Sequence, residues 1–292
     1  MRSAAAAVDD TDMPAGAPRP FLKWAGGKRQ LLPQIERLLP RRIHTYFEPF
    51  VGGAALFFRL AALRSFKRAV LADANAELVS CYQMIRDHAG EVIEALQEYR
   101  NERELYYAVR ATVPTSPVER AARLIYLNRC GYNGLYRVNS KGGFNVPFGS
   151  YRRPVICDAA KLRAASAALQ GAEIHVADFA ATVASAGRRD FVYFDPPYVP
   201  LSKTASFTAY AAGQFGAQEQ ERLATLLRSL GKRAVPALLS NSYSPITREL
   251  YKELDCHRVP ARRAINSVAR GRGPIDEILV RSFPYPLREG PS

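Results

Sequence analysis

The sequence predicts an α/β fold built around a doubly wound, mostly parallel sheet. Short apolar runs of strand length recur along the chain, and each ends in a polar or acidic residue. Helical patterns lie between several of these runs, an alternation that is typical of parallel sheets. Ligands of such sheets bind at the carboxyl ends of the strands. We therefore expect a binding site where these polar residues collect.

Six apolar runs are predicted to form strands. They are Thr45–Phe47, Ala69–Ala72, Ile174–Ala177, Phe191–Phe194, Val235–Leu239 and Asp276–Phe283. Glu48, Asp73, Asp178 and Asp195 directly follow the first four of these runs. Helices are predicted at Ala54–Leu63, after a Gly-Gly turn, and at Leu223–Leu230, where apolar spacing suits packing on a sheet.

The pattern between Asp73 and Asp178 is mainly helical, with Leu78, Tyr82 and Ile85 on one helix face. Ser116-Pro117-Val118-Glu119 predicts a helix start. A loop rich in Asn, Gly, Arg and Tyr follows at 128–151. We interpret this region as a module inserted into the sheet domain. The predicted organisation is a disordered leader (1–18), a discontinuous sheet domain (19–75 and 160–285), the inserted module (76–159) and a flexible tail (286–292).

Charge is the unusual bulk property of these 292 residues, because the formal net charge is +14. A polyanionic partner explains this surplus best, and nucleic acid is the first candidate. No run of about 18 apolar residues occurs, so no membrane span is predicted. The four cysteines are scattered, which favours reduced thiols in a cytoplasmic protein and no metal site. A monomer is expected.

The most informative segment is Asp195-Pro196-Pro197-Tyr198, directly after the apolar run Phe191–Phe194. Two prolines fix φ and remove two N–H donors, which leaves carbonyls free to accept hydrogen bonds. A carboxylate, carbonyls and an aromatic ring then converge on one spot. That spot suits a planar ring that carries an amino group. An ordinary strand-to-loop exit has the same residue types and remains the plain alternative.

The residues at the other strand ends predict a nucleoside-like cofactor. Glu48 stands before the Gly52-Gly53 turn, which allows close approach of a ligand to the backbone. Asp73 suits ribose hydroxyls, and Asp178 with Phe179 suits an adenine amino group and ring. A carboxylate beside glycines favours a cationic ligand over a phosphate, and a cationic nucleoside with an amino acid tail is S-adenosylmethionine. Taken singly, each residue is more often a turn or a cap.

Two further segments are predicted to contact nucleic acid. The loop from Asn128 to Arg137 mixes amides, arginines and aromatics, which read base edges and fill gaps in a base stack. A solvated turn is its equally plain interpretation. The stretch from Arg258 to Arg272 contains five arginines and is interpreted as a phosphate-contacting surface.

Together these segments resemble the Dam family of DNA adenine-N6 methyltransferases, the group with the recognition domain inserted between cofactor and catalytic motifs. The motifs that carry the resemblance are FLKWAGGK, EPFVGG, LADAN, YLNRCGYNGLYR, FNVPFGSY, DPPY and LLSNS, which occur in family order from about Phe21 to Phe283. Cys130 replaces a usual aromatic residue, Ile265–Gly273 departs from the pattern, and the leader has no counterpart. The resemblance implies a Rossmann-like methyltransferase sheet, with 76–159 as the target-recognition domain.

The resemblance also implies roles for individual residues. Catalysis falls to Asp195, Pro196, Pro197 and Tyr198. Cofactor binding falls to Trp24, Lys28, Glu48, Phe50, Gly52, Asp73, Asp178 and Phe179. Contact with double-stranded DNA falls to Lys23, Asn128, Arg129, Tyr132, Asn133, Leu135, Arg137, Pro147 and Tyr151.

The implied function is methylation of a flipped adenine, with GATC as the expected target sequence. In that prediction Arg137 reads a guanine, Leu135 and Pro147 contact a thymine methyl, and Tyr132 and Asn133 fill the space of the extruded base. Two alternatives stay open from the residues alone. One is an N4-cytosine or RNA amino-methyltransferase with the same DPPY chemistry, and the other is a catalytically silent DNA-binding homologue.

Overall fold

The computed structural model describes residues 16–24, 26, 28–199, 215–262 and 274–288. The first 15 residues of the predicted leader, 263–273 of the predicted basic stretch and 289–292 of the predicted tail lie outside these ranges. The α/β prediction is confirmed, since helices and a central seven-stranded sheet make up the fold. The strands are β1 (Thr45–Glu48), β2 (Arg68–Asp73), β3 (Ala172–Val176), β4 (Phe191–Phe194), β5 (Ala237–Ser242), β6 (Asp255–Arg262) and β7 (Pro274–Arg281).

The sheet order is β3-β2-β1-β4-β5-β7-β6. β1 runs parallel to β2 and β4, and β4 runs parallel to β5. β7 is antiparallel to both β5 and β6. Because β1, β4 and β5 are parallel, Glu48 and Asp195 leave their strands at the same edge of the sheet. For Glu48 and Asp195, the structure therefore agrees with the prediction that polar residues collect at one edge of the sheet.

Three predicted strands each have an end that differs from the observed end by two or three residues. β3 covers Ala172–Val176 rather than Ile174–Ala177, so it starts two residues earlier. β5 begins at Ala237 and runs through Ser242, so Ser240 and Asn241 lie inside a fully buried strand instead of after it. β7 starts at Pro274 and ends at Arg281 instead of Phe283. Apolar composition located these strands but not their ends, because polar residues with internal hydrogen-bond partners continue β5.

β6 was not predicted. Its last five residues, 258–262, overlap the stretch interpreted as a phosphate-contacting surface, and Arg258 forms an ion pair with Asp276 of β7. That carboxylate partner contradicts a purely phosphate-directed role for Arg258. The strand lies at the sheet edge, where Pro260 is tolerated because no further strand needs its missing N–H.

The described helices are α1 (Leu32–Glu36), α2 (Ala55–Ala62), α3 (Ala76–Gln97), α4 (Arg103–Ala111), α5 (Pro117–Cys130), α6 (Ala159–Leu169), α7 (Phe179–Thr182), α8 (Ala217–Lys232) and α9 (Pro245–Leu250). The predicted start of α5 is confirmed, since Ser116 caps the helix and Pro117 is its first residue. The predicted loop at 128–151 begins later than expected, because Asn128 and Arg129 belong to the last turn of α5.

The chain forms two compact units, each assembled from separate segments. Unit 1 comprises Met1–Arg29, Gly52–Arg64 and Asp73–Val176, and unit 2 comprises Gln30–Val51, Ser65–Ala72 and Ala177–Ser292. Unit 1 is organised by α3 against α5, with Leu78, Tyr82 and Ile85 buried as their spacing predicts. Unit 2 packs Leu223, Leu227 and Leu230 of α8 on the strands. The domain boundaries expected from sequence remain predictions.

Candidate active site

In unit 1, a glycine turn is closed from three sides by hydrogen bonds and an indole ring. Gly52 N donates to Asp73 Oδ2 at 3.2 Å, and Tyr82 Oη donates to the Gly52 carbonyl at 2.9 Å. Gly52 has φ +42°, and a Cβ there would lie 2.9 Å from Cδ1 of Trp24. A side chain at this position would therefore clash, which explains the glycine. Trp24 in turn stacks on Tyr136, with ring centroids 5.3 Å apart.

Asp73 has acceptor capacity beyond the bonds that fix it. Its Oδ1 accepts from Asn75 N at 3.0 Å, and its Oδ2 accepts from Gly52 N. Burial raises the pKa of this carboxyl above its ordinary value, although the backbone N–H donors oppose that rise. A carboxylate has about four lone-pair sites, so Asp73 can take a further donor beside these backbone bonds. This is the chemistry that a ribose diol needs.

Asn128 joins the segment around Lys23 to the GYNG turn, also within unit 1. Its amide accepts from Lys23 N at 2.8 Å and donates to the carbonyls of Lys23 and Gly134 at 2.7 and 2.9 Å. The side chain is 1% exposed. Direct contact of Asn128 with DNA, as the sequence predicts, would require these buried bonds to break. Arg129 is similarly engaged, since its Nη2 donates to the Phe21 carbonyl at 2.6 Å.

The other predicted recognition residues of unit 1 lie closer to solvent. Tyr132 is 43% exposed, and its backbone N donates to the Pro147 carbonyl at 2.9 Å. Asn133 adopts φ +55°, a left-handed conformation in which Asn is enriched. Arg137 is exposed, Leu135 is half-buried and Pro147 is exposed. Lys23 Nζ lies 4.2 Å from the ring centroid of Tyr151.

Arg137 is oriented by one neighbour, Asn145. Its Nε donates to Asn145 Oδ1 at 2.7 Å and its Nη2 donates to the Asn145 carbonyl at 3.1 Å. Both bonds lie along one side of the guanidinium. Of its five N–H donors, the two on Nη1 and one on Nη2 are left for an external acceptor. These three form the end of the fork, which can make a bidentate contact.

In unit 2, Asp178 and Phe179 sit beside Arg222. Asp178 Oδ1 accepts from Ala180 N at 2.9 Å and also pairs with Arg222. Burial raises the pKa of the Asp178 carboxyl, but the hydrogen bond and charge of Arg222 and the backbone N–H donors of α7 together outweigh it, so the net pKa is lowered. The guanidinium of Arg222 also lies 4.2 Å from the Phe179 ring centroid. Both contacts fall on Oδ1, so Oδ2 can accept a further donor.

Phe179 belongs to an aromatic group that includes Phe50. The two rings stack with centroids 5.4 Å apart, and Phe215 packs edge-on against Phe50 at 5.4 Å.

Glu48, at the end of β1, is 3% exposed. In unit 1, the similarly buried Lys28 donates from Nζ to the Gly26 carbonyl at 2.5 Å.

Asp195, also in unit 2, is held by a chain of hydroxyl donors. Ser240 Oγ donates to Asp195 Oδ1 at 3.1 Å, and Tyr193 Oη lies 3.0 Å from Ser240 Oγ. Because Ser240 gives its only proton to the carboxylate, Tyr193 must donate to Ser240. Burial and the nearby Asp195 raise the pKa of Tyr193 far above its ordinary value, so this donor stays protonated. The arrangement holds Oδ1 of Asp195 in place directly after β4.

The residues after Asp195 are fixed by the helix and strands beside them. Gln220 Nε2 of α8 donates to the Pro197 carbonyl at 2.9 Å, and Asn241 Oδ1 of β5 accepts from Val199 N at 3.1 Å. Asn241 Nδ2 donates to Gln220 Oε1 at 3.1 Å, which links the two amides. Tyr198 Oη donates to Glu277 of β7. Burial together with Asp195 and Glu277 raises the pKa of Tyr198.

Sequence reasoning did not select five residues that position the predicted site. They are Ser240, Asn241, Gln220, Glu277 and Arg222. A usable signal existed for two of them, because Ser240 and Asn241 interrupt an apolar strand, and polar residues persist in a buried strand when they have internal partners. Gln220, Glu277 and Arg222 look like ordinary surface residues in the sequence.

Neither a metal-binding cluster nor a membrane-spanning helix occurs within the described ranges. No group of three or more His, Cys, Asp or Glu side chains there is arranged to hold a metal ion. In the same part of the chain, no helix has both the length and the apolar character of a membrane span.

The family model for the D12 class N6 adenine-specific DNA methyltransferases matches residues 24–265. This span contains the Gly52 turn, Asp73, the GYNG loop and Asp195. The chain therefore belongs to that family and is a DNA methyltransferase specific for adenine. The resemblance to Dam-like enzymes is confirmed, and the N4-cytosine, RNA and silent-homologue alternatives are set aside.

Curated relatives align over nearly their whole length. A type II methyltransferase of Lactococcus lactis subsp. cremoris, M1.LlaDCHI, is 43% identical over 91% of this chain and 95% of its own. The type II methyltransferase M.MjaIII of Methanocaldococcus jannaschii is 40% identical over 91% of this chain and 99% of its own. The DNA adenine methylase of Escherichia coli K12 is 41% identical over 89% and 94%.

Proposed function

We propose that this methyltransferase takes its methyl group from S-adenosylmethionine and delivers it to an adenine flipped out of GATC in duplex DNA. The observation that carries the proposal is the Asp195 carboxylate directly after β4, whose Oδ1 accepts a hydrogen bond from Ser240 Oγ. Homologues named DNA adenine methylases, at about 41% identity, support the same target chemistry. The module at 76–159 is the proposed target-recognition domain.

The residues present fit the proposed cofactor, which supplies an electrophilic methyl group when bound. Asp73 would accept the ribose hydroxyls with its remaining lone pairs. Asp178 Oδ2 would accept an adenine amino proton, while the rings of Phe179 and Phe50 offer apolar surface to the base. The buried Glu48 and Lys28, together with Trp24 and Gly52, would hold the amino acid end of the cofactor.

Asp195 is proposed to activate the target amino group. The N6 lone pair of adenine is delocalised into the ring, so the nitrogen is a poor nucleophile. Asp195 and the Pro196 carbonyl would accept the two N6–H bonds, which turns the lone pair out of the ring plane. Positive charge then grows on N6, and the fixed carboxylate stabilises it. The proton leaves N6 after the new C–N bond has formed. Tyr198 would stack on the base, and Pro197 would hold the loop.

Target reading is assigned to the inserted module. Arg137 would place the end of its fork on O6 and N7 of a guanine, in the orientation that Asn145 sets. Leu135 and Pro147 would contact a thymine methyl. Flipping the adenine costs a few kcal/mol, which Tyr132 and Asn133 would offset by filling the gap. Lys23, Tyr151 and Arg129 would support the backbone contacts, with Asn128 positioning Lys23.

The cofactor is tested by calorimetric titration of the protein with S-adenosylmethionine in EDTA. Binding should occur without a divalent ion, and Asp73→Asn should weaken it by about tenfold, since a carboxylate hydrogen bond contributes about 1.5 kcal/mol or more. Asp158→Asn, a helix cap elsewhere in unit 1, is the control and should bind normally. Equal weakening in both variants would contradict the assignment of Asp73.

The target sequence is tested by long-read mapping of N6-methyladenine on unmethylated DNA. Methylation should concentrate at GATC, and Arg137→Ala should relax preference at the guanine, because a bidentate contact is worth about 1–3 kcal/mol of discrimination. Asn145→Ala should relax the same position more weakly, since it only orients Arg137. Methylation in another motif, or unchanged guanine preference in Arg137→Ala, would refute this assignment.

A further inference from the structure

Unit 2 contains a basic cleft at the edge of the sheet opposite Asp195. It encloses about 820 Å³, and four arginines line it: Arg41, Arg42, Arg188 and Arg288. Arg41 and Arg42 precede β1, and Arg188 precedes β4. These arginines therefore gather at the amino ends of parallel strands whose carboxyl ends carry Glu48 and Asp195.

The described residues that line the cleft include no carboxylate, so they concentrate positive charge there. Arg288 is held there by its Nη1, which donates to Ser65 Oγ at 3.0 Å, and by its Nε, which donates to the Pro40 carbonyl at 3.3 Å. Burial lowers the pKa of Arg288 even though Glu36 acts in the opposite direction. A cleft lined by one sign of charge focuses the field and raises the local concentration of counter-ions. This cleft therefore favours an anion.

Arg42 and Arg188 are the cations most accessible to such an anion. Both are exposed, and within the described residues neither forms an ion pair. Guanidinium groups match phosphate oxygens in a bidentate geometry. Among the described residues that line the cleft, Tyr285 is the only aromatic one, and it is buried, so these residues offer no aromatic pair to hold a nucleobase. The cleft is suited to phosphates on a backbone rather than to a nucleoside.

We propose that this cleft binds the phosphodiester backbone of a second DNA segment while the first occupies the site at Asp195. The inference rests on the proposed function only in taking duplex DNA as the polyanion. β4 is four residues long, which separates the two edges by about 13 Å. The edges face opposite ways along the strand, so one straight duplex cannot lie against both. The functional consequence is direct transfer of the enzyme between DNA segments.

The test follows release of a labelled GATC duplex of about two helical turns as unlabelled duplex without GATC is added. If the second duplex binds before the first leaves, the observed release rate rises with the concentration of the unlabelled duplex. Arg42→Glu/Arg188→Glu should make the release rate independent of that concentration. Arg163→Glu/Lys252→Glu, which changes net charge equally at exposed residues outside the cleft, should behave like the wild type.

Single-turnover methylation of the short duplex separates this proposal from the proposed function. The cleft variant should methylate it at the wild-type rate, because that duplex needs only the site at Asp195. An equal loss of methylation would place the cleft in the target complex and overturn the proposal. A wild type that transfers between duplexes without methylating either would refute the proposed function and leave the cleft intact.

Three further outcomes overturn the proposal. The first is a wild-type release rate that does not change with competitor concentration. The second is equal loss of transfer in the control variant. The third is a small-anion site: inorganic phosphate raises the melting temperature of the wild type but not of the cleft variant, while release stays independent of competing duplex.

Discussion

The Ser240 hydroxyl holds one oxygen of Asp195 in place. Ser240 donates to Oδ1 of Asp195 and accepts from Tyr193, so each hydroxyl in this series of hydrogen bonds donates toward Asp195. A carboxylate that is already oriented needs no rearrangement when charge develops on a bound amine, and such preorganised charge is often the largest catalytic term.

Ser240→Ala should therefore lower the turnover number for DNA methylation by about fivefold, with little change in DNA affinity, because one neutral donor is worth about 1 kcal/mol. Ser282→Ala is the matched control, since its buried hydroxyl donates to the Val235 carbonyl and not to Asp195. Both variants should lose similar stability, as measured by urea unfolding. Equal turnover in both would contradict the role of Ser240.

At the level of single residues, the sequence selected candidate ligand-binding groups but not the groups that support them. DPPY and the strand-end carboxylates stand out because their composition is unusual at those places. Ser240 is reached only through the backbone of β5, which brings it beside β4 by pairing Leu239 with Phe194. The local sequence pattern does not predict which residues of β5 pair with β4, so Ser240 was placed just after the predicted strand.

Elements of unit 2 meet at the loop that leaves β4. α8 contributes Gln220, β5 contributes Asn241 and β7 contributes Glu277, and each makes a hydrogen bond to residues 197–199. Three different elements therefore each hold this loop by one hydrogen bond. Its geometry is a property of the packed helix and strands, not of the two prolines alone.

Gln220→Leu should lower the turnover number more than it changes the Michaelis constant for DNA. The substitution leaves the Pro197 carbonyl and Asn241 Nδ2 without this partner, at a cost of about 1–3 kcal/mol for each unsatisfied buried group. Gln220→Leu/Asn241→Leu should then cost less stability than the two single changes added together, because the two amides are in contact. Additive losses in urea unfolding would contradict the coupling.

β6 shows why an element can escape prediction from sequence. Its residues read Asp-Cys-His-Arg-Val-Pro-Ala-Arg, with no regular alternation of apolar and polar side chains. Val259 is a buried apolar residue in this strand. At a sheet edge, backbone pairing with β7 defines the strand, and tertiary context outweighs local propensity. β1, β2 and β4 were predicted well because burial on both faces gives them continuous apolar runs.

For the whole molecule, the net charge of +14 sets how binding responds to ionic strength. Duplex affinity should fall steeply with salt, with a log–log slope of roughly −0.9 for each phosphate neutralised. Fluorescence anisotropy with a GATC duplex measures the slope, and Arg163→Glu serves as a control for a single exposed charge. A slope near zero would exclude counter-ion release as the source of affinity.

The order in which strands occur along the chain has a consequence for synthesis. β1 pairs on one side with β2, which follows closely, and on the other side with β4, which is made after all of the segment Asp73–Val176. At about 5–20 residues per second, a ribosome needs roughly 7–30 s to travel from one strand to the other. Throughout that interval the nascent chain presents Tyr46 and Phe47 on an open strand edge. Such an edge is a template for aggregation, so we expect aggregation to be a hazard for the nascent chain until Phe191 emerges.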